Sequence, residues 1–163
     1  MAKVGIISDT HDQIARTGVA VGILQHHGAE LIIHCGDLAC PEILAICEPL
    51  PTWFVFGNHD ADSASLLKQM APDFGATCLG WGGEFSVDEK RIAVVHGHLT
   101  SDLRPLLESK PNYLLSGHSH RSDDWMHGEV RRINPGALHR ASEFTVATLD
   151  TACGEVEFLP VPR

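Results

Sequence analysis

Five short apolar runs in this chain all end in clusters of polar residues, and that repetition restricts the fold more than any other feature. Val4–Ile7 leads into Asp9-Thr10-His11, Leu31–Ile33 into Gly36-Asp37, and Trp53–Phe56 into Gly57-Asn58-His59-Asp60. Ile92–Val95 leads into His96-Gly97-His98, and Tyr113–Leu115 into Gly117-His118-Ser119-His120. Runs this short, bounded by glycine and polar residues, have the length of buried strands rather than of helices. The side chains that follow are rich in nitrogen and oxygen and costly to bury without partners. In open α/β sheets the loops at the C-terminal ends of the strands converge in one crevice, where ligands bind.

Between the runs the pattern changes period. Strand-like Val4–Ser8, Leu31–His34 and Thr52–Phe56 alternate with helical stretches over Gln13–His27 and Pro41–Glu48, a β-α-β-α-β order that favours parallel pairing. In the first helix Ile14, Val19 (or Gly18), Val21 (or Gly22) and Leu24 supply an approximate apolar face, and Gly28 stops it. Pro41 suits the first position of the second helix. Ser63–Met70 reads as a third helix with Ser63 as its N-cap. Thr77–Leu79, Glu84–Val87 and Arg91–Val95 then read as a meander or hairpin. Ser101–Ser109 is helical, with Leu103, Leu106 and Leu107 on one side. Asn112–Ser116, Trp125–His127, Val130–Ile133, Phe144–Leu149 and Val156–Leu159 complete the strands, the last four mostly antiparallel. The expected architecture is α/β, two mixed sheets face to face with helices outside. It forms one domain over residues 1–163, a length sufficient for a real core.

Composition narrows the class. Hydrophobic residues make up 44% and charged residues 20% of the chain, ordinary for a globular protein. No apolar run approaches the roughly 18 residues of a membrane span, and no cleavable signal precedes the first strand. Cytoplasm is therefore the expected location, with no membrane partner. Five cysteines without paired spacing suggest neither a disulfide framework nor a zinc ribbon. The formal net charge of −9 argues against a nucleic-acid-binding domain, although bound cations could reverse the local sign.

Each polar cluster taken singly has a plainer explanation. Asp9 could cap a turn, Gly36-Asp37 could be a loop, His96-Gly97-His98 could lie on the surface, and Asn58-His59-Asp60 could be a capped turn. Five together at successive strand ends point to a metal site. The ordered set Asp9-x-His11, Gly36-Asp37, Gly57-Asn58-His59-Asp60, His96-Gly97-His98 and Gly117-His118-x-His120 resembles the signature of calcineurin-like metallophosphoesterases. The resemblance is to the small bacterial and archaeal phosphodiesterase branch without a large cap domain.

That resemblance implies an αββα sandwich with the metals at the loop edge. It places Asp9, His11, Asp37 and His120 on one metal, with Asp37 bridging to a second that also takes Asn58, His96 and His118. His59 then lies over the substrate with Asp60 as its orienting partner, and His98 makes a further contact with substrate or with a ligand. Asn134-Pro135-Gly136 resembles the family's Asn-Pro-Gly-Ser turn, with Ala137 where serine is usual.

The implied reaction is hydrolysis of a phosphoester, more readily a small phosphodiester than a monoester, by a hydroxide bridging two divalent ions about 3.5–4 Å apart. Imidazole, carboxylate and amide donors suit Mn²⁺ foremost, with Fe²⁺, Ni²⁺, Co²⁺ or Zn²⁺ also fitting, and Mg²⁺ ranks low. Two ions bring about +4, Asp9 and Asp37 −2 and the hydroxide −1, leaving roughly +1 to attract a phosphate. His59 would protonate the leaving oxygen or stabilise the phosphoryl group. Gly57 would permit the turn that joins Asp60 to His59. Among the other histidines, His34 reads as a packed strand residue, and His127 and His139 as surface, His139 near the rim. Two rivals remain open: a nuclease, drawing on Arg104, Arg121, Arg131, Arg132 and Arg140, and a non-catalytic metal-binding scaffold. Assembly into a homo-oligomer is also open.

Overall fold

A computed structural model describes residues 1–163. In chain order the elements are β1 (Lys3–Ile7), α1 (Ile14–His26), β2 (Leu31–His34), α2 (Glu42–Cys47), β3 (Thr52–Phe54), α3 (Ala64–Met70), β4 (Ala76–Cys78), β5 (Gly82–Val87) and β6 (Lys90–Val95). They continue with α4 (Thr100–Glu108), β7 (Tyr113–Leu115), β8 (Ser122–His127), β9 (Val130–Pro135), β10 (Phe144–Asp150) and β11 (Val156–Val161).

Two mixed sheets result, with strand orders β11-β10-β1-β2-β3-β4 and β5-β6-β7-β9-β8. β1, β2, β3 and β4 are parallel neighbours, as are β6, β7 and β9. Alternation along each strand assigns the faces. Val4, Ile6, Leu31 and Ile33 of the first sheet meet Ile92, Val94, Leu115 and Ile133 of the second in one apolar layer. The opposite face of the first sheet packs Ile7 and Ile32 against Ala20, Val21 and Leu24 of α1. It also packs Phe54 against Ile43 and Leu44 of α2 and Leu67 of α3. On the outer face of the second sheet, Ala93, Val95, Leu114 and Val130 receive Leu103, Leu106 and Leu107 of α4. The layers are thus helix, sheet, sheet, helix. No helix is long and apolar enough to cross a membrane.

Four local expectations are corrected. In α1 the packed stripe is Thr17, Ala20, Val21 and Leu24, the i, i+3, i+4, i+7 spacing of one helical face. Ile14 and Val19 lie off that face and are 41% and 48% exposed. The third strand stops at Phe54: Val55 N–H still reaches the His34 carbonyl, but Gly36 gives its N–H to His34 Nδ1 and does not continue the ladder. β4 does not enter a meander; it pairs parallel with β3, and the antiparallel hairpin is β5–β6 alone. Ser63 stands at the N-cap of α3 without a side-chain capping bond, because its hydroxyl donates to the Asp60 carbonyl instead.

Candidate metal centre

The parallel strands β1, β2 and β3 of one sheet and β6 and β7 of the other end at one edge of the sandwich, and their polar loops are tied across it. Asp9 N–H donates to the Gly36 carbonyl and His11 N–H to the Asp37 carbonyl, at 3.0 and 2.8 Å. Gly117 N–H donates to the His96 carbonyl, 3.1 Å. Two bonds cross between the sheets: His118 N–H to Asp9 Oδ2 at 3.0 Å, and His96 Nδ1 to the Cys35 carbonyl at 2.8 Å.

These bonds decide which atoms remain free. His96 donates through Nδ1–H, so its Nε2 carries a lone pair, and His120 does the same through Nδ1 to the Arg140 carbonyl, 3.2 Å. Asp9 Oδ2 accepts from Ser8 Oγ–H (2.6 Å) and His118 N–H, which leaves Oδ1. Asp37 Oδ1 accepts His59 N–H (2.9 Å), which leaves Oδ2. The freed atoms converge. Asp9 Oδ1 lies 3.2 Å from His120 Nε2 and 3.8 Å from His96 Nε2. Asp37 Oδ2 lies 3.2 Å from His96 Nε2 and 3.6 Å from His11 Nε2.

Asp9 Oδ1, His11 Nε2 and His96 Nε2 are buried with no hydrogen-bond partner. Buried polar atoms are rarely left so, and lone pairs aimed at one point suit a cation whose bonds to nitrogen and oxygen run about 2.0–2.2 Å. Two groups of donors form, Asp9–His11–His120 and Asp9–Asp37–His96. The residues present therefore fit divalent metal. Electrostatics agree: although burial opposes its charge, Asp37 is held well below the usual carboxylate range by His96, His59 N–H and His11. Burial opposes charge on His96 while Asp37 and Asp9 favour it and raise its pKa above the ordinary value, so a metal ion bound at Nε2 would displace a proton there.

Asp9 is the residue common to the two donor groups, while Asp37 Oδ2 reaches histidines of both. Asn58, His59 and His118 are exposed and line the pocket over these atoms, about 260 Å³, together with His11, Asp37 and His120. Asn58 and His118 stand over the converging donors from the pocket wall. His98 does not line this pocket; its ring lies behind His96 (5.4 Å between centroids) and beside Trp81 (6.1 Å).

The pairing of Asp60 with His59 is overturned. Residues 58–60 form one 3₁₀ turn, which sends Asp60 inward and His59 outward. Asp60 is fully buried and accepts the N–H groups of Asp37, Gly57 and Ala39 at 2.8, 2.8 and 2.7 Å. Burial pushes this carboxyl up, and the N–H groups of Gly57 and Ala39 pull against it. Its task is to hold the Asp37 loop. The reason for glycine at position 57 changes too. Its φ is −102°, open to any residue, but a Cβ there would run into Asp37 Oδ1. Space, not backbone freedom, requires it.

Three further residues contribute, of which the sequence leads one to expect only His139 near the site. His34 is fully buried, its pKa lowered by burial to about 3. Its Nδ1 accepts Gly36 N–H (3.1 Å), so Nε2–H donates to Thr10 Oγ1 (3.0 Å), and the neutral ring locks two ligand loops together. His139 and Arg140, from the loop before β10, also line the pocket, with His139 4.4 Å from the His11 ring. Ala137 is fully buried and lines no part of it.

Residues 2–154 match the calcineurin-like phosphoesterase superfamily domain, and the chain belongs to that family. Among relatives, it is 27% identical to phosphodiesterase MJ0936 of Methanocaldococcus jannaschii, over 91% of this chain and 93% of that one. It is 30% identical to the probable metallophosphoesterase of Methanothermobacter thermautotrophicus, over 82% and 76% of the two chains. The solved structure of an archaeal phosphodiesterase superposes with a TM-score of 0.88 at 26% identity, covering 98% of this chain and 99% of that one.

Proposed function

We propose that this chain, folded as one domain, is a metal-dependent phosphodiesterase. The observation that carries the reading is the convergence of the buried, unpartnered atoms Asp9 Oδ1, His11 Nε2 and His96 Nε2 at the sheet edge, in a chain similar to named phosphodiesterases. Asp9, His11, Asp37 and His120 would hold one ion and Asp37, Asn58, His96 and His118 a second, with Mn²⁺ the best match to the donors. Two ions held there would supply polarisation of the phosphoryl group and a water of lowered pKa.

The chain's own residues do the rest. Asp60 and His34 fix the loops that present Asp37 and Asp9. His59 N–H turns Asp37 so that Oδ2 faces inward, while the His59 ring stands over the pocket, 5.0 Å from the His11 ring. From there it can give a proton to the leaving oxygen, held by the turn rather than by a carboxylate. Arg140 at the rim offers a guanidinium to the phosphate oxygens.

The test is an assay of metal-reconstituted protein on an aryl phosphodiester and the matching monoester, with Mn²⁺, Ni²⁺ and Mg²⁺ in turn. Turnover of the diester above the monoester, greatest with Mn²⁺ or Ni²⁺, is expected. No turnover with any metal would sink the reading. His59→Ala should retain its metal by elemental analysis and lose roughly 10²–10⁴-fold in kcat; loss of metal instead would count against the role given to His59.

A further inference from the structure

The outer face of the second sheet is only partly covered. Val130, Arg132 and Asn134 share that face through the alternation of β9, and the β8–β9 register sets Trp125 opposite Arg132 and Asp123 opposite Asn134. α4 packs over Ala93, Leu114 and Val130 and leaves the end of the face nearest the metal centre bare. A cleft of about 360 Å³ opens there, lined by Ser116, His118, Ser119, Arg121, Trp125 and Arg132 among others. His118 lines both this cleft and the metal pocket, so the two share a wall.

The cleft holds two guanidinium groups that pair with no carboxylate. The arginine ion pairs of this chain are Arg91–Glu84 and Arg131–Asp124; Arg121 and Arg132 take part in none. Arg132 is the more unusual of the two. Its Nε is buried and without an acceptor, and its guanidinium lies 4.7 Å over the Trp125 ring. Burial lowers its pKa with no carboxylate opposing the shift. Arg16 also has an unpartnered Nε, but its Nη1 donates to Gln13 Oε1 and to the Leu138 carbonyl. Arg132 has no such outlet. The carboxylate in the cleft, Asp123, accepts the Asp124 N–H (2.8 Å) and pairs with neither arginine.

A partly desolvated guanidinium lacking acceptors is costly, and its planar donors match phosphate oxygens in twos. We propose that this cleft is a subsite for a phosphate monoester group. The preferred substrate is then a phosphodiester bearing a second phosphate on one of its alcohols, seated across His118 from the reacting one. The inference rests on the phosphodiesterase reading and is tested so that the two can fail separately.

Thymidine 5′-(4-nitrophenyl phosphate) with and without a 3′-phosphate forms the probe pair, assayed with the metal-loaded full chain. The 3′-phosphate should raise kcat/KM about 10-fold or more, chiefly through KM, as a charge-assisted contact does. Arg132→Gln should abolish that advantage while leaving the unphosphorylated probe within about twofold, and exposed Arg121→Gln should reduce it. Equal kcat/KM for the two probes, or an advantage that survives both substitutions, would overturn the subsite. The same pair built on propane-1,3-diol separates nucleotide from other phosphates. An advantage there assigns the cleft to the phosphate itself, and an advantage confined to the nucleoside pair defeats the proposal. If no probe turns over at all, the phosphodiesterase reading fails. Calorimetric titration of metal-free protein with thymidine 3′,5′-bisphosphate then decides the subsite alone. Saturable binding lost in Arg132→Gln supports it, and no saturation by about 10 mM rejects it.

Discussion

The two outer faces of the sandwich are covered very differently. Over the first sheet, α1 sinks Thr17, Ala20, Val21 and Leu24 to full burial, and α2 sinks Ile43, Leu44 and Cys47. Over the second sheet, α4 buries no residue completely, and Leu103, Leu106 and Leu107 are only partly covered. The difference separates two jobs. The first sheet is the platform, and its three strand ends carry Asp9, His11, Asp37 and Asn58 against a well-packed backing. The second sheet brings His96, His118 and His120 to the same edge and keeps open ground beside them. Stability should therefore be concentrated on one side of the molecule and substrate discrimination on the other.

The sharpest way to break that division is Asp60→Ala. It strips three N–H groups, two of them fully buried and two of them on the platform's Asp37 loop, of their acceptor. A loss of about 3–5 kcal/mol in urea unfolding is expected, together with loss of metal uptake. A variant that stays as stable as wild type would show that Asp60 does not hold this loop. Next come matched truncations under the two helix layers. Leu24→Ala should cost about 2–5 kcal/mol, since the side chain is fully buried. Leu107→Ala should cost about 1 kcal/mol, because α4 leaves it half-covered. Equal losses would abolish the asymmetry.

The smallest effect concerns the surface of the second sheet. Glu84 accepts from Arg91 Nε at 2.6 Å, and that contact is the main reason its pKa lies below the ordinary 4.5. A carboxyl depressed in the folded state adds stability that is present above pH 4.5 and lost as pH falls through its folded value. Solvent screening keeps this below about 1 kcal/mol. Glu84→Gln should therefore lower stability slightly at neutral pH, with the difference from wild type vanishing as pH falls, so that the acid limb is flatter. An unchanged acid limb would count against the pair.

Much of this arrangement is legible in the sequence because its signals are local. An apolar run followed by aspartate, asparagine or histidine announces both a strand end and a donor, and all five such ends meet at one edge. Direction is harder to read than location. Asp60 sits next to His59 in sequence, yet the 3₁₀ turn sends their side chains opposite ways, one into the Asp37 loop and one over the pocket. His139 and Arg140 follow no apolar run and reach the pocket only because β9 and β10 belong to different sheets. The first half of β8, Ser122–Asp124, is polar on an exposed edge, so no alternation marked it as strand.

The backbone at the metal edge carries one more consequence. Asp9, His11, Asp37, His118 and His120 all have positive φ, between 45° and 71°, a region where an L-residue with a side chain costs roughly 1–2 kcal/mol. Glycine would sit there unstrained, at a smaller entropic cost in the unfolded chain of about 0.5–1 kcal/mol. Selection for activity and selection for thermal endurance therefore pull these positions toward different residues. His118 shows the conflict most cleanly, because its side chain is exposed and its tie to Asp9 runs through the backbone. Without metal, His118→Gly should melt later than wild type, by about 0.5 kcal/mol on the balance of those two terms. A heat-tolerant variant of this protein found by screening for stability alone would be drawn toward an empty hearth.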